Sequence, residues 1–460
     1  MRQWVGTTVG LAALIGAGGV AWGGQAQPQP QPQLTSTSQG RQGGDIVLVG
    51  RPEALLFATQ TLFEGYVRDN KMPGIVGAFG VGNLPTEYPS AGRIADGSGS
   101  PFANADTLWR IYSMTKPITG MAAMMLVEDG KLRLDQPLSD FFPQYRSMRV
   151  AVSPDTSLET RPARTPITIR HLLTHSGGLG YSISAKGPLL KEYERLGLLP
   201  FAASAQSEAA VKPTRPRSLA EFAERAAQVP LVAEPGTRWS YSMGLDIMGA
   251  VIDRASGMSF ERFVQTRMFD PLGMRSTYWQ VPSGEAARLA TNYAWVGDAR
   301  APLDPGATST FLTRPSFAYG GAGLVSSARD YDRFLHMLAN GGTLDGRRVM
   351  KAETVRLAMS NLLPAGVTFG GLGGGTGGTT AAVPMGFGAG GSVYLADVPG
   401  GASKGTYGWG GAAGTIAWVD PVKQVRGTVM VNYFPAERWP IRREVTAALF
   451  RDAARLHGPR

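Results

Sequence analysis

The order of elements along this 460-residue chain predicts an α/β fold of the α+β kind, and three observations carry the prediction. GIVGAFGVG, from Gly74, reads as a buried strand near the start; helical patterns fill the middle; TIAWVD and RGTVMVNYF alternate as paired strands near the end. Strands at both ends with mostly helices between them imply a mixed sheet. Its first strand comes from the N-terminal part, its remaining strands come from the C-terminal part, and the helical middle, approximately 131–315, forms a second lobe.

Taken in order, MRQ is followed by the apolar run WVGTTVGLAALIGAGGVAWGG and then by QAQPQPQPQ, which matches a charged start, an apolar centre and a small-residue exit. Residues 1–26 are therefore expected to be a signal peptide, with an uncleaved N-terminal anchor as the alternative. Export to the periplasm or beyond follows, with no stable membrane span after processing. Residues 27–50 are a Pro/Gln-rich linker and 51–460 a single domain. The chain has no cysteine, which excludes disulfides, thiolate-bound zinc, iron–sulfur clusters, a cysteine nucleophile and a lipoprotein anchor.

RPEALLFATQTLFEGYVRDN carries apolar residues at helical spacing. TPITIRHLLTHSGGLGY reads as a strand-like TPITI running into a short helix that Gly177 and Gly178 end. From Ser182 to about Arg217 the pattern loosens into what resembles an inserted loop or lid. SLAEFAERAAQVPLV and SYSMGLDIMGAVIDRAS are amphipathic helices, GGAGLVSSARDYDRFLHMLANGG is a turn and a helix, and REVTAALFRDAARL is a last helix. The stretch 366–414 is rich in glycine, with short strand candidates such as GGSVYLAD.

The net charge of +10 directs attention to anionic partners, but its arginines are scattered and no basic stripe is interleaved with aromatics, so no nucleic-acid binding is expected. The chemistry points elsewhere, to ADTLWRIYSMTKPITGMAAMMLVEDG. Ser113 and Lys116, three apart at the start of an apolar helix, share one face, so a lysine can take the serine's proton. Pro117 fits the first turn, where backbone donors lack partners, and Gly130 reads as the stop. Chance alone supplies about half an S-x-x-K in a chain of this composition. Context must carry the rest.

Acyl-bond hydrolysis needs a further acid/base and donors for an oxyanion. Tyr241, in GTRWSYSMGLD, stands at a helix entrance and can serve as the first if Lys116 supplies a neighbouring charge. YGWGGAAGTIAW offers the second, with Trp409, Gly410, Gly411 and Ala412 opening a strand and paired glycines letting backbone N–H groups approach a ligand.

These three places, in this order, resemble the serine β-lactamase and penicillin-binding protein superfamily, most closely its class C branch and the family VIII carboxylesterases. Ser113 to Lys116 match the nucleophile motif, Tyr241 to Met243 the Y-x-N position, and Trp409 to Gly411 the place of K-T-G or H-T-G. TIRHLLTHSGGL, EPGTRWSYS and GGAGLVSSARDYDRF extend the likeness over about 52–455. The resemblance implies the β-lactamase-like fold, a mostly antiparallel sheet flanked by helices. It also implies an acyl-enzyme on Ser113, proton transfer shared by Lys116 and Tyr241, and an oxyanion held by the N–H groups of Ser113 and Ala412, with no metal or cofactor.

The departures bear on the substrate. Met243 replaces the asparagine whose amide contacts a β-lactam side chain in the family, and Trp409 replaces the cationic residue that helps bind a substrate carboxylate. That pattern is similar to family VIII esterases, and it implies a small neutral ester as substrate. A β-lactamase or D-amino-acid peptidase, and a non-catalytic peptidoglycan-binding envelope protein, are the alternatives. Two competing signals remain. Gly401 to Gly405 spell G-x-S-x-G around Ser403, but no helical periodicity follows, as a nucleophile elbow requires. His171 and His175 have zinc-compatible spacing without the H-E-x-x-H glutamate, and are expected to be satisfied structural residues.

Overall fold

Apolar runs too short for core helices build the central sheet. The computed structural model describes residues 56–201, 203–370 and 383–456, so the expected signal peptide at 1–26 and linker at 27–50 lie outside the described residues. Seven strands form the main sheet: β1 (Gly74–Val81), β2 (Ser90–Gly92), β3 (Met385–Phe387), β4 (Ser392–Tyr394), β5 (Tyr407–Gly410), β6 (Ile416–Asp420) and β7 (Val425–Met430). Their order is β3-β4-β5-β6-β7-β1-β2. The N-terminal strand thus joins the C-terminal ones, Val76 opposite Met430 and Val81 opposite Val425. Every neighbouring pair is antiparallel, which replaces the mixed sheet expected from element order with the mostly antiparallel sheet implied by the resemblance.

Helices cover both faces. α1 (Phe57–Arg68) packs on α5 (Ile441–Leu456), and Phe63, Tyr66, Ile441 and Val445 bury one face with Ile75, Phe79 and Val429. On the other face α4 (Ala328–Ala339) lies across β1 and β7. A buried Arg426 on β7 donates from Nε to Asp332 of α4 at 2.8 Å, pairing the two layers. Unpaired, either charge would be costly so deep in the fold.

α2 (Thr115–Glu128) runs through the middle, with every residue from Thr115 to Leu126 buried, as befits a helix apolar on all sides. It ends as expected at Gly130, whose φ of +71° a glycine adopts without strain. Gly120 lets a loop dock on bare helix backbone, since a Cβ there would lie 2.2 Å from the Ala389 carbonyl oxygen. α3 (Gly244–Ser256) packs against α2 from the helical lobe.

Three expectations change. TPITI is not a strand: Thr168 makes only an isolated bridge to Pro137, because it caps the helix Ile169–Leu173 through a reciprocal capping box with His171. The stretch 182–217 is more ordered than a loose lid, with helices Gly187–Arg195 and Ala205–Val211. Arg215 ties it together by donating to Glu208 and to the carbonyls of Leu199 and Pro200. Finally, Trp409 and Gly410 close β5 rather than open a strand, since the chain turns at 411–415 before β6 begins at Ile416. The middle of the chain also carries two hairpins, Arg149–Ala151 with Thr160–Pro162 and Asn292–Val296 with Ala299–Asp304, the second joined in parallel by the C-terminal strand Tyr433–Phe434.

Candidate active site

Ser113 sits in a single 3-10 turn, Tyr112–Met114, between the short strand Leu108–Arg110 and α2. The entry is held rigidly. Arg110 is fully buried and pairs with Asp304 at 2.6 Å, and Asn432 accepts the Arg110 N–H at 3.1 Å. Tyr112 takes a φ of +39°, a conformation a non-glycine residue holds only when its surroundings enforce it. The ring of Tyr112 is locked by edge-on contacts with Phe311 and Phe434. Ser113 is thereby turned to partial exposure among buried neighbours.

Two side chains converge on its hydroxyl. The Tyr241 hydroxyl donates to Ser113 Oγ at 2.8 Å and Lys116 Nζ donates to it at 3.3 Å. Lys116 is wholly buried, and its Nζ donates a second time, to the Gly321 carbonyl at 2.7 Å, while lying 4.6 Å from the centre of the Tyr241 ring. The oxygen and the cation–π contact compensate its lost hydration. A hydroxyl held between an amine and a phenol has two possible proton acceptors once either has given up its own proton.

The WGG segment reaches the same place. Gly411 runs along the Ser113 turn so closely that a Cβ would lie 2.4 Å from the Ile111 carbonyl oxygen, and no other residue type fits there. One cavity is lined by Ser113, Tyr241, Trp409, Gly410, Gly411 and Ala412. Ala412 is exposed at its edge, and among the described residues neither its N–H nor that of Ser113 donates to another protein group. Met243 is not brought in. It is buried in the main core at the start of α3, where its N–H donates to the Gly180 carbonyl at 3.2 Å.

Around Tyr241 stands an aromatic cage, with His175 edge-on at 4.8 Å, Tyr181 at 5.6 Å, Trp409 at 5.8 Å and Trp239 stacked at 5.9 Å. Histidine 175 departs from expectation. Its Nδ1 accepts the Ser242 N–H at 3.2 Å and bonds Ser242 Oγ at 2.9 Å, so the neutral ring carries its proton on Nε2. Among the described residues that N–H is buried without a partner, so this residue is only half satisfied by them. Burial, seconded by the Lys116 charge, pushes the His175 imidazole well below its ordinary titration range. His171 meets the expectation of a structural residue, accepting the Thr168 N–H on Nδ1 at 3.2 Å. The described residues hold no cluster of ligands able to bind a metal ion.

Sequence reasoning missed Asp246 and Tyr181. Asp246 is buried behind Lys116 and accepts the Gly321 N–H at 2.8 Å, and burial raises its carboxyl above the usual range. Burial, then the charges of Asp246 and Tyr241, drive the Tyr181 phenol well above its own. A carboxylate placed on the inward side of α3 was the available signal.

Ser403 lies apart from this constellation, in a turn that leads into β5 rather than into a helix. Its N–H donates to Asp420 at 2.9 Å, and no histidine or lysine side chain bonds its hydroxyl among the described residues.

Known proteins share this arrangement of fold and sequence. The family model described as Beta-lactamase matches residues 59–449. Esterase EstB of Burkholderia gladioli is 32% identical over 62% of this chain and 70% of its own length. Protein Rv1367c of Mycobacterium tuberculosis is 38% identical over 56% of this chain, and the match spans 60% of that relative's length. The solved structure of EstCE1, described as a hydrolase with promiscuous acyltransferase activity, superposes with a TM-score of 0.67 at 23% identity, covering 86% of this chain and 99% of its own. With a match that runs from α1 to α5 and a sheet and helical lobe of the same architecture, the chain belongs to the Beta-lactamase family.

Proposed function

We propose that this protein is a serine hydrolase that cleaves small carboxylic esters through an acyl-enzyme on Ser113. The observation that carries this reading is the convergence of Tyr241 at 2.8 Å and Lys116 at 3.3 Å on one hydroxyl at the edge of a cavity. In the proposed reaction Tyr241, reacting as the phenolate beside the ammonium of Lys116, accepts the proton of Ser113 as Oγ adds to the ester carbonyl and so becomes the phenol. The resulting oxyanion takes the N–H groups of Ser113 and Ala412. The C–O bond to the alcohol then breaks, the leaving oxygen recovers the proton from Tyr241, and water repeats the sequence on the acyl-enzyme to release the acid.

The ester preference is supported by Trp409, which is 3% exposed in an apolar cluster with Phe369, Phe387 and Tyr394, at the place where the family carries a cation. An apolar wall favours a neutral acyl or alkoxy group over a carboxylate. The likeness to a named esterase at 32% identity supports the same substrate class, of the family VIII type. The N-terminal sequence supports export. The test is purified protein assayed on p-nitrophenyl esters, a chromogenic cephalosporin and D-Ala peptides beside Ser113→Ala. Ester turnover that the alanine variant loses is the expected result; faster cephalosporin turnover would return the reading to a β-lactamase.

A further inference from the structure

The catalytic lysine is buried, and a buried long side chain needs a fixed second anchor if its Nζ is to stay on the serine. Lys116 finds that anchor in the Gly321 carbonyl at 2.7 Å. A carbonyl on a glycine can swing about its α-carbon, but this α-carbon is held from the preceding peptide: the Gly321 N–H, in the Gly320–Gly321 plane, donates to Asp246 Oδ1 at 2.8 Å. The carboxylate also lies flat against the Gly321 α-carbon, where an added Cβ would meet Oδ2 at 2.6 Å and Oδ1 at 3.0 Å. Neighbouring bonds brace the same segment, with Thr119 Oγ1 of α2 donating to the Gly320 carbonyl at 2.7 Å. Asp246 itself is 2% exposed in the first turn of α3, three residues after Met243 and five after Tyr241.

The geometry points to Asp246 as a positioning residue for Lys116, acting through Gly321, whose N–H it binds and whose carbonyl the lysine binds, and touching neither substrate nor Ser113. This inference rests on the reading of Ser113 and Lys116 as nucleophile and proton-transfer partner. One short element, 241–246, then supplies both the phenol on one side of Ser113 and, at second hand, the aim of the amine on the other. A buried carboxylate in an apolar helix is expensive, and its retention needs a reason of this kind. Asp246 forms no ion pair with Lys116 within 4.0 Å among the described residues, so the hydrogen bond to Gly321 is its direct link to the lysine, and the longer-range attraction between the two groups is what Asp246→Asn removes.

Three variants and one control test this. Asp246→Ala removes the acceptor, Asp246→Asn keeps it without the charge, and Gly321→Ala displaces the carboxylate while leaving it in the chain. With a p-nitrophenyl ester, Asp246→Ala and Gly321→Ala are expected to lower kcat by about 30-fold or more with KM within about twofold, the cost of a misplaced catalytic group. Asp246→Asn is expected to restore kcat to within about threefold of wild type. Thermal melts establish that each variant is folded; if Asp246→Ala does not fold, Gly321→Ala and Asp246→Asn decide. A folded Asp246→Ala or Gly321→Ala with wild-type kcat overturns the inference, and so does an Asn variant as slow as Ala. Ser113→Ala separates the levels: activity that survives it defeats the underlying reading, whereas activity lost there but unchanged in the Asp246 variants defeats this inference alone.

Discussion

Two serines in this chain stand in recognisable motifs, and their surroundings differ in kind. Ser113 is partly exposed on a strained turn between a buried ion pair and a buried helix, with an amine and a phenol on its hydroxyl. Ser403 stands in a glycine-rich turn that Asp420 organises, accepting the N–H groups of Ser403, Val422 and Lys423 at 2.9, 3.0 and 3.0 Å. Burial pushes the Asp420 carboxyl up, but hydrogen bonds led by Lys423 and Ser403 prevail and hold it below the usual range. One region spends its polar groups on aiming a side chain, the other on closing a loop.

The sharpest way to break that contrast is to exchange the serines' fates. Ser113→Ala is expected to lower ester kcat by at least about 10³, while Ser403→Ala stays within about twofold of wild type; the reverse pattern in a steady-state assay ends the comparison. Next in size, Tyr241→Phe is expected to cost at least about 10² in kcat with an unchanged melt, the usual order for a lost general acid/base. An unaltered kcat removes Tyr241 from the reaction.

Gly411→Ala sharpens the same region from its backbone. A Cβ at 2.4 Å from the Ile111 carbonyl must push the WGG segment off the Ser113 turn. About a 10-fold to 100-fold fall in kcat is expected, with near-normal KM, as for reacting groups misplaced by about 1 Å. Asp420→Ala strips the Ser403 turn of its acceptor and is expected to lower stability by about 1–2 kcal/mol in denaturant melts, leaving kcat alone.

The smallest effect is a pH dependence. Burial, then the Arg170 charge, depress the His171 imidazole to about 4, below its ordinary value near 6.5. The unfolded chain therefore binds the proton first. The contribution of His171 is complete above about 6.5 and fades as pH falls toward 4. Melting temperatures are expected to decline over that window, and His171→Gln to decline less. His175 acts in the same direction, so some slope persists in the variant.

Much of this was legible in the chain because its causes are local. Pro117 and Gly130 bracket α2 since one residue lacks a backbone donor and the other tolerates positive φ. The alternation in TIAWVD and RGTVMVNYF announces β6 and β7, and the spacing of Ser113 and Lys116 puts them on one turn whatever surrounds them. TPITI misled because its branched residues suit a strand, while Thr168 was claimed by a capping bond that alternation does not reveal.

By itself, then, the sequence determined which residues are the candidates for chemistry and which elements carry them, since short-range sterics and periodicity act within a few residues. Only the tertiary structure decided what faces what. Met243 turned into the core, the second nitrogen of His175 was left bare, Gly411 was pressed onto Ile111, and Asp246 met Gly321 across 75 positions of chain. Those outcomes depend on long-range packing of whole layers, where the direction of a side chain is settled by volumes contributed from distant segments.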